Sequence, residues 1–214
     1  FAELLALVAL ESRRNGCLVI GEDLGTVPDV VRTALAAAGV LSYRLLYFER
    51  DAEGGFIDAA AYPRDALVAV ATHDLATLAG FWHGRDLEER DALRLFPSAA
   101  ARDAQAADRA QDRARLLARL AAAGLWPRDA APPPATPEAM AALALAVHRD
   151  LAATPAKVMM LQMEDVLGEV EQVNLPSTGD ATRANWRRKL SLPLDDWGAD
   201  GRVRATFAAM RQAR

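Results

Sequence analysis

The sequence has few cysteine, histidine and aromatic residues. Its 214 residues include one cysteine, three histidines and 6% aromatic residues. Cys17 cannot form an internal disulfide, which excludes a disulfide-stapled scaffold, and we expect a protein of the reducing cytoplasm. No apolar run approaches the roughly 20 residues that cross a bilayer, and the N-terminus shows no signal-peptide pattern. We therefore expect no membrane partner.

The charge pattern argues against nucleic acid as a partner. The net charge is −4, charges of both signs are interspersed, and there is no basic stripe. With 52% hydrophobic residues the chain can bury a substantial core. The sequence is typical of a globular α/β protein or of part of a larger one.

Short apolar runs with the composition of buried β-strands alternate with helical patterns. The predicted strands are 17–20, 42–49, 66–71 and 157–162. The predicted helices are 1–12, 29–38, 87–95, 101–123, 137–151 and 202–211. A parallel sheet with helices on both faces requires this alternation, so we predict the α/β class.

The spacing of these elements predicts the domain organisation. We interpret residues 1–84 as barrel strands and helices, residues 85–155 as a helical insertion, and residues 156–214 as a last strand, a loop and a terminal helix. The opening segment is helix-like from its first residue and has no initiator methionine. We therefore expect the chain to begin inside a larger protein.

Polar residues follow the predicted strands at their carboxyl ends. Glu22 comes after the first, and His73 and Asp74 come after the third. In a parallel barrel these ends converge at one mouth, where two carboxylates could perform retaining chemistry on a glycosidic bond. The same three residues also fit a divalent-metal site of a hydrolase, and an acid at a strand end can simply cap a helix. The pattern alone leaves these alternatives open.

Four strings of residues occur in the order found in one enzyme family. They are GEDLGTVP at 21–28, THDLATLAGFW at 72–82, QVNLP at 172–176 and NWRRK at 185–189. From about Leu18 to its end, the chain resembles the 4-alpha-glucanotransferases (amylomaltases) of glycoside hydrolase family 77.

This resemblance implies a fold, an activity and a set of site residues. The fold would be the C-terminal half of a (β/α)8 barrel with an inserted helical subdomain. The activity would be retaining transfer of alpha-1,4-glucan segments between maltooligosaccharides, without a cofactor or a metal. Glu22 would be the general acid/base and Asp74 the transition-state-stabilising carboxylate, while His73, Asn174 and Phe48 would bind the glucan.

The chain departs from the family pattern at several positions. The nucleophilic Asp of the family lies in an Arg-Ile-Asp-His type motif, which is absent here. We expect it upstream of Phe1, in a missing N-terminal half, so the fragment alone would bind glucan without turning it over. Ser177 stands where the family often has Gly. The segment 179–184 lacks the aromatic residue and proline that are expected ahead of the Asn-Trp pair.

Several neighbouring residues have simpler interpretations. Asp23 follows Glu22 directly and is predicted to be a structural hydrogen-bonding group. Glu164 and Asp165 are predicted to support the barrel mouth. For Trp82 and Trp186 we favour burial over stacking on a sugar ring.

Overall fold

The computed structural model describes residues 1–129 and 131–213. Within these residues the helices and strands are, in chain order, α1 (Ala2–Asn15), α2 (Asp29–Ala37), β1 (Ser42–Leu45), β2 (Ala66–Ala69), α3 (Leu78–His83), α4 (Arg85–Ala92), α5 (Ala99–Ala122), α6 (Pro137–Ala152), β3 (Val158–Met159), α7 (Met163–Leu167) and α8 (Gly201–Ala213). Two short 3-10 turns, Ala59–Ala61 and Leu194–Asp196, connect longer elements. The mixed helix and strand content agrees with the predicted α/β class.

The strands within the described ranges form a parallel sheet in the order β1-β2-β3. Ser42 aligns with Ala66, and Leu67 aligns with Val158. Ahead of β1, Ile20 forms a parallel bridge with Leu41. Neighbouring segments of the sheet therefore follow one another in chain order and point the same way.

The prediction of a full first strand at 17–20 is wrong. Only Ile20 bridges, through hydrogen bonds from Leu41 N to Val19 O and from Gly21 N to Leu41 O. Two such bonds align the segment in parallel with β1, but they are too few for a ladder.

The other predicted strands exist but are shorter than expected. Strand β1 ends at Leu45 because Phe48 N and Glu49 N both donate to Leu45 O, which closes a turn. Strand β3 is limited to Val158–Met159, and helix α7 begins soon after it. In both places local turn bonds replace the ladder that the apolar run suggested.

The predicted helices are all present with ends shifted by a few residues, and two short helices were missed. The missed helices are α3 and α7. Helix α3 is apolar on all sides and almost wholly buried, so it lacks the amphipathic periodicity that predicts a surface helix. Helix α7 is a single five-residue turn that ends at Gly168 in the left-handed conformation.

The main core joins the sheet to the long helices. Val68 and Val70 pack in one buried cluster with Leu116 of α5 and with Leu143 and Val147 of α6. The helices of segment 85–155 thus share apolar contacts with the sheet. The division into 1–84, 85–155 and 156–214 stays a prediction.

Helix α1 lies at the periphery with most of its surface exposed. Phe1, Leu4 and Leu10 are each at least half exposed. As for membrane insertion, the described part of the chain contains no helix with both the length and the apolar character of a bilayer span.

A buried ion pair joins the two longest helices. Arg119 of α5 donates to Asp150 of α6, with Arg119 Nη2 2.8 Å from Asp150 Oδ1, and it also contacts the exposed Asp58. Burial raises the pKa of the Asp150 carboxyl, and Arg119 opposes that effect. Removing Arg119 would leave Asp150 as an uncompensated buried charge, whereas removing Asp150 would leave Arg119 with Asp58.

We expect Arg119→Met to lower the free energy of unfolding by about 3–5 kcal/mol, because it leaves Asp150 as an unpaired buried ion. Asp150→Leu should lower it by less, because Arg119 keeps its contact with Asp58. The double variant should recover most of the loss, since both charges are then gone. Urea unfolding of the four proteins measures the coupling. Strictly additive losses would show that the pair does not stabilise the α5–α6 contact.

Candidate active site

Asp74 lies in the loop after β2 with its carboxylate partly open to solvent. Its side chain is 44% exposed, and its Oδ1 accepts a hydrogen bond from Asn174 Nδ2 at 2.5 Å. His73 Nε2 lies 3.3 Å from the same oxygen, and its ring is also exposed. The structure therefore brings together three of the predicted site residues.

Polar groups from the segment after β3 hold this loop in place. Gln172 is buried, and its Nε2 donates to Asp74 O at 2.8 Å and to Asn174 O at 2.6 Å. Asn174 N donates to His73 O, and Ala71 N donates to Gln162 Oε1. These bonds fix both backbone and side chain of the Asp74 loop.

Helix α3, which follows the loop, is anchored by the same segment. Leu78 N donates to Asp165 Oδ1 at 2.6 Å, and Thr77 Oγ1 donates to Glu169 O at 2.6 Å. Gly80 is required here because a Cβ would lie 2.4 Å from Val170 O. The close approach of two backbones thus explains this glycine.

Glu22 and Asp23 follow the Ile20 bridge and point to different environments. Asp23 is buried, accepts from Tyr43 N at 2.8 Å and pairs with Arg32 at 3.0 Å. Its structural role is as predicted. Glu22 is exposed. The pKa of the Tyr43 hydroxyl is raised mainly by burial of Tyr43 and secondly by the negative charge of Glu22. Glu22 therefore lies near Tyr43 on the solvent side.

Phe48 lies in the turn after β1 and is 52% exposed. It borders an open cleft of about 690 Å³ that Tyr43, Arg44, Glu49 and Arg50 also line. The cleft lies beside the Glu22 loop, since Asp23 and Leu24 form part of its wall. Phe48 thus presents an apolar surface in a polar groove.

Glu22, Phe48 and Asp74 come after neighbouring parallel segments of the sheet. The carboxyl ends of parallel strands lie at one edge, so these residues share that edge. Their side chains differ in how they are held. Asp74 is held by Asn174, whereas Glu22 and Phe48 are exposed residues in loops.

Within residues 1–129 and 131–213, no three His, Cys, Asp or Glu side chains are grouped closely enough to hold a metal ion. His148, one of the other histidines, is buried in α6 with Nδ1 2.8 Å from Ala144 O. Burial lowers its pKa to about 4. It is a packing residue in the neutral form.

A family model described as 4-alpha-glucanotransferase, glycoside hydrolase family 77, matches residues 1–194. The chain belongs to the 4-alpha-glucanotransferase family. This confirms the resemblance based on the four motifs.

Relatives of this chain within the family come from several bacteria. The 4-alpha-glucanotransferase of Haemophilus influenzae is 35% identical over 220 residues, covering 100% of this chain and 30% of that protein. The Mycobacterium tuberculosis 4-alpha-glucanotransferase is 34% identical, covering 98% of this chain and 29% of that protein. The chain thus spans about 30% of the length of these curated relatives.

Solved structures show the same relationship. The crystal structure of amylomaltase from Corynebacterium glutamicum matches with a TM-score of 0.86 and 27% identity, over 97% of this chain and 30% of that one. Amylomaltase from Streptococcus agalactiae in complex with acarbose matches with a TM-score of 0.57 and 18% identity, over 99% of this chain and 34% of that one. The second match supports the fold alone.

The departure from the family pattern at Ser177 has a conformational explanation. Ser177 adopts φ +66°, in the left-handed region that favours glycine. A glycine would occupy this position without strain. The loop keeps the glycine-type backbone although the residue has changed.

The residues that the sequence did not assign to the site are Gln162 and Gln172. Gln172 is the first residue of the quoted QVNLP string, which was the only available signal. One partner of Gln172, the Asp74 backbone carbonyl, lies 98 positions away in the chain, so spacing could not reveal it. Asp165 bonds α3 through Leu78 N, while the prediction that Glu164 and Asp165 support a barrel mouth stays a prediction.

Asp165 is a buried carboxyl with an unusual titration. Burial raises its pKa from 3.8 to about 7, and the nearby Glu164 charge adds to the shift, while the Leu78 N–H bond opposes it. Its Oδ2 has no hydrogen-bond partner among the described residues. Because the unfolded chain releases this proton at lower pH, stability should fall as pH rises from about 4 to 7.

We expect Asp165→Asn to gain stability relative to the unchanged protein across this range, because the amide does not ionise. The gain would grow from pH 4 to pH 8 by up to about 4 kcal/mol, at about 1.4 kcal/mol per pKa unit. Urea unfolding at several pH values measures it, with the exposed Asp195→Asn as control. A difference that stays constant with pH would contradict the assignment.

Proposed function

We propose that this chain is the C-terminal half of a (β/α)8-barrel 4-alpha-glucanotransferase, with residues 85–155 as a helical insertion. The complete enzyme would transfer alpha-1,4-glucan segments between maltooligosaccharides. Family membership over residues 1–194, parallel segments in chain order and coverage of about 30% of relatives support this proposal. The single cysteine is consistent with a cytoplasmic location.

The observation that carries the proposal is the cluster formed by His73, Asp74 and Asn174. A carboxylate anchored through one oxygen by Asn174 keeps lone pairs free for sugar hydroxyls. The exposed His73 ring beside it adds a second polar contact. Such groups are suited to holding a sugar while its ring distorts toward the transition state.

In the proposed first step, a nucleophilic Asp from the upstream half attacks the anomeric carbon of the donor glucan. The bond from that carbon to the glycosidic oxygen breaks, and Glu22 gives its proton to the departing oxygen. Retaining enzymes need about 5–5.5 Å between these two carboxyl groups. Asp74 and His73 would hold the hydroxyls at the 2 and 3 positions of the same sugar.

In the second step the direction of proton transfer reverses. Glu22, now ionised, takes the proton from the 4-hydroxyl of an acceptor glucan, whose oxygen attacks the anomeric carbon. The ester bond to the nucleophile breaks, and the new alpha-1,4 bond preserves the configuration. Asn174 and Phe48 would position the glucan along the groove. No cofactor or metal enters either step.

The chain alone has a second candidate function, which is glucan binding without turnover. The absence of an Arg-Ile-Asp-His type motif favours it, because no residue here matches the nucleophile of the family. Binding would use the same His73, Asp74 and Asn174 groups. The two candidates therefore share one site and differ in chemistry.

We expect Glu22→Gln in the full-length protein to lower the rate of maltotriose disproportionation by about 10²–10⁴-fold, because the amide cannot transfer the proton. Asp74→Asn should lower it by about 10²–10³-fold through lost charge stabilisation. Chromatography of the maltooligosaccharide products measures the rate.

The matched control is Glu53→Gln, which removes an exposed carboxylate that belongs neither to the His73, Asp74 and Asn174 cluster nor to the lining of the cleft beside Phe48, and it should leave the rate unchanged. Rates within about threefold of the unchanged protein for both site variants would refute the proposed roles. Loss of activity on adding a chelator would favour instead the metal-dependent hydrolase built on His73, Asp74 and Glu22.

A further inference from the structure

Trp186 combines two features that are unfavourable in a folded protein. It is 62% exposed, so the prediction that it is buried is wrong, and its backbone has φ +59°, which L-residues rarely adopt. Aromatic side chains normally bury their large apolar surface. When a structure maintains both features at one residue, a functional role is the first explanation to test.

The loop around Trp186 is held by specific hydrogen bonds. The neighbouring Asn185 is buried, with Oδ1 accepting from Leu175 N at 3.0 Å and Nδ2 donating to Thr178 Oγ1 at 2.9 Å. Trp186 N donates to Val173 O at 3.2 Å. The indole is therefore presented by an anchored backbone.

The indole lies next to the candidate active site. The centroid of its ring is 4.8 Å from the centroid of the His73 ring, with 48° between the two planes. His73 in turn contacts Asp74 Oδ1, and Val173, which bonds the Trp186 backbone, precedes Asn174. An exposed aromatic face thus adjoins the polar cluster.

We infer that Trp186 is a substrate-binding residue whose indole stacks on a glucose ring of the glucan beside the His73–Asp74 pair. The inference deepens the proposed function and depends on it. A glucose ring has an apolar face of C–H groups that packs on a flat aromatic surface, while its hydroxyls at the rim reach polar side chains. His73 and Asp74 supply those polar partners next to the indole.

This interpretation differs from the simpler one, in which another part of a longer protein covers Trp186. A buried packing role would make the residue important for stability. A stacking role makes it important for affinity toward maltooligosaccharides, with little effect on the chemical step.

In the full-length enzyme, we expect Trp186→Ala to raise KM for a maltooligosaccharide by about tenfold and to change kcat by less than about threefold, since stacking acts mainly on binding. Trp186→Phe should restore most of the affinity. Phe207→Ala, which removes an exposed aromatic ring on α8, serves as control and should leave KM unchanged.

An unchanged KM together with a lowered melting temperature would overturn the inference in favour of packing, and so would a fall in kcat at constant KM. A second measurement tests the inference if Trp186→Ala folds poorly. Maltooligosaccharide should change the tryptophan fluorescence of full-length Glu22→Gln, and adding Trp186→Phe should remove that change. If Trp186 variants behave like the unchanged protein while Glu22→Gln is inactive, this inference fails and the proposed function stands.

Discussion

Parallel alignment of successive chain segments is the constraint on which the candidate site depends. Ile20 bridges Leu41 in parallel, β1 pairs with β2, and β2 pairs with β3. Because all these segments point the same way, the loops that follow them share one edge of the sheet. Glu22 and Asp74, which are 52 positions apart in the chain, reach that edge through backbone pairing.

The second requirement is rigidity of the loop that carries Asp74. Side chains from the segment after β3, namely Gln162 and the buried Gln172 and Asp165, bond its backbone at Ala71, Asp74 and Leu78. One of these side chains lowers the stability of the fold. The carboxyl of Asp165 is buried, and burial disfavours its charged form and so raises its pKa. The interactions that position the Asp74 carboxylate thus include one, the burial of Asp165, that lowers the stability of the fold.

The positions of the candidate site residues could be predicted from the sequence better than the lengths of the strands. Apolar runs located every strand region, and the motifs located the loops with Glu22, His73, Asp74 and Asn174. Strand ends were misjudged because a run such as 42–49 contains its own turn, which only the bonds to Leu45 O define. The role of Gln172 depends on its bond to Asp74, which is distant in the chain, and the exposed, left-handed Trp186 has no signature in composition or periodicity.

The central claim is that residues 22 and 74 act on one glucose unit. A crystal structure of the full-length Glu22→Gln protein with a bound maltooligosaccharide tests it most directly. We expect the residue 22 amide about 3 Å from a glycosidic oxygen, with the Asp74 carboxylate on the hydroxyls of the sugar that donates its anomeric carbon to that bond. A complex in which the two side chains contact separate sugars, or face opposite sides of the protein, would contradict the account.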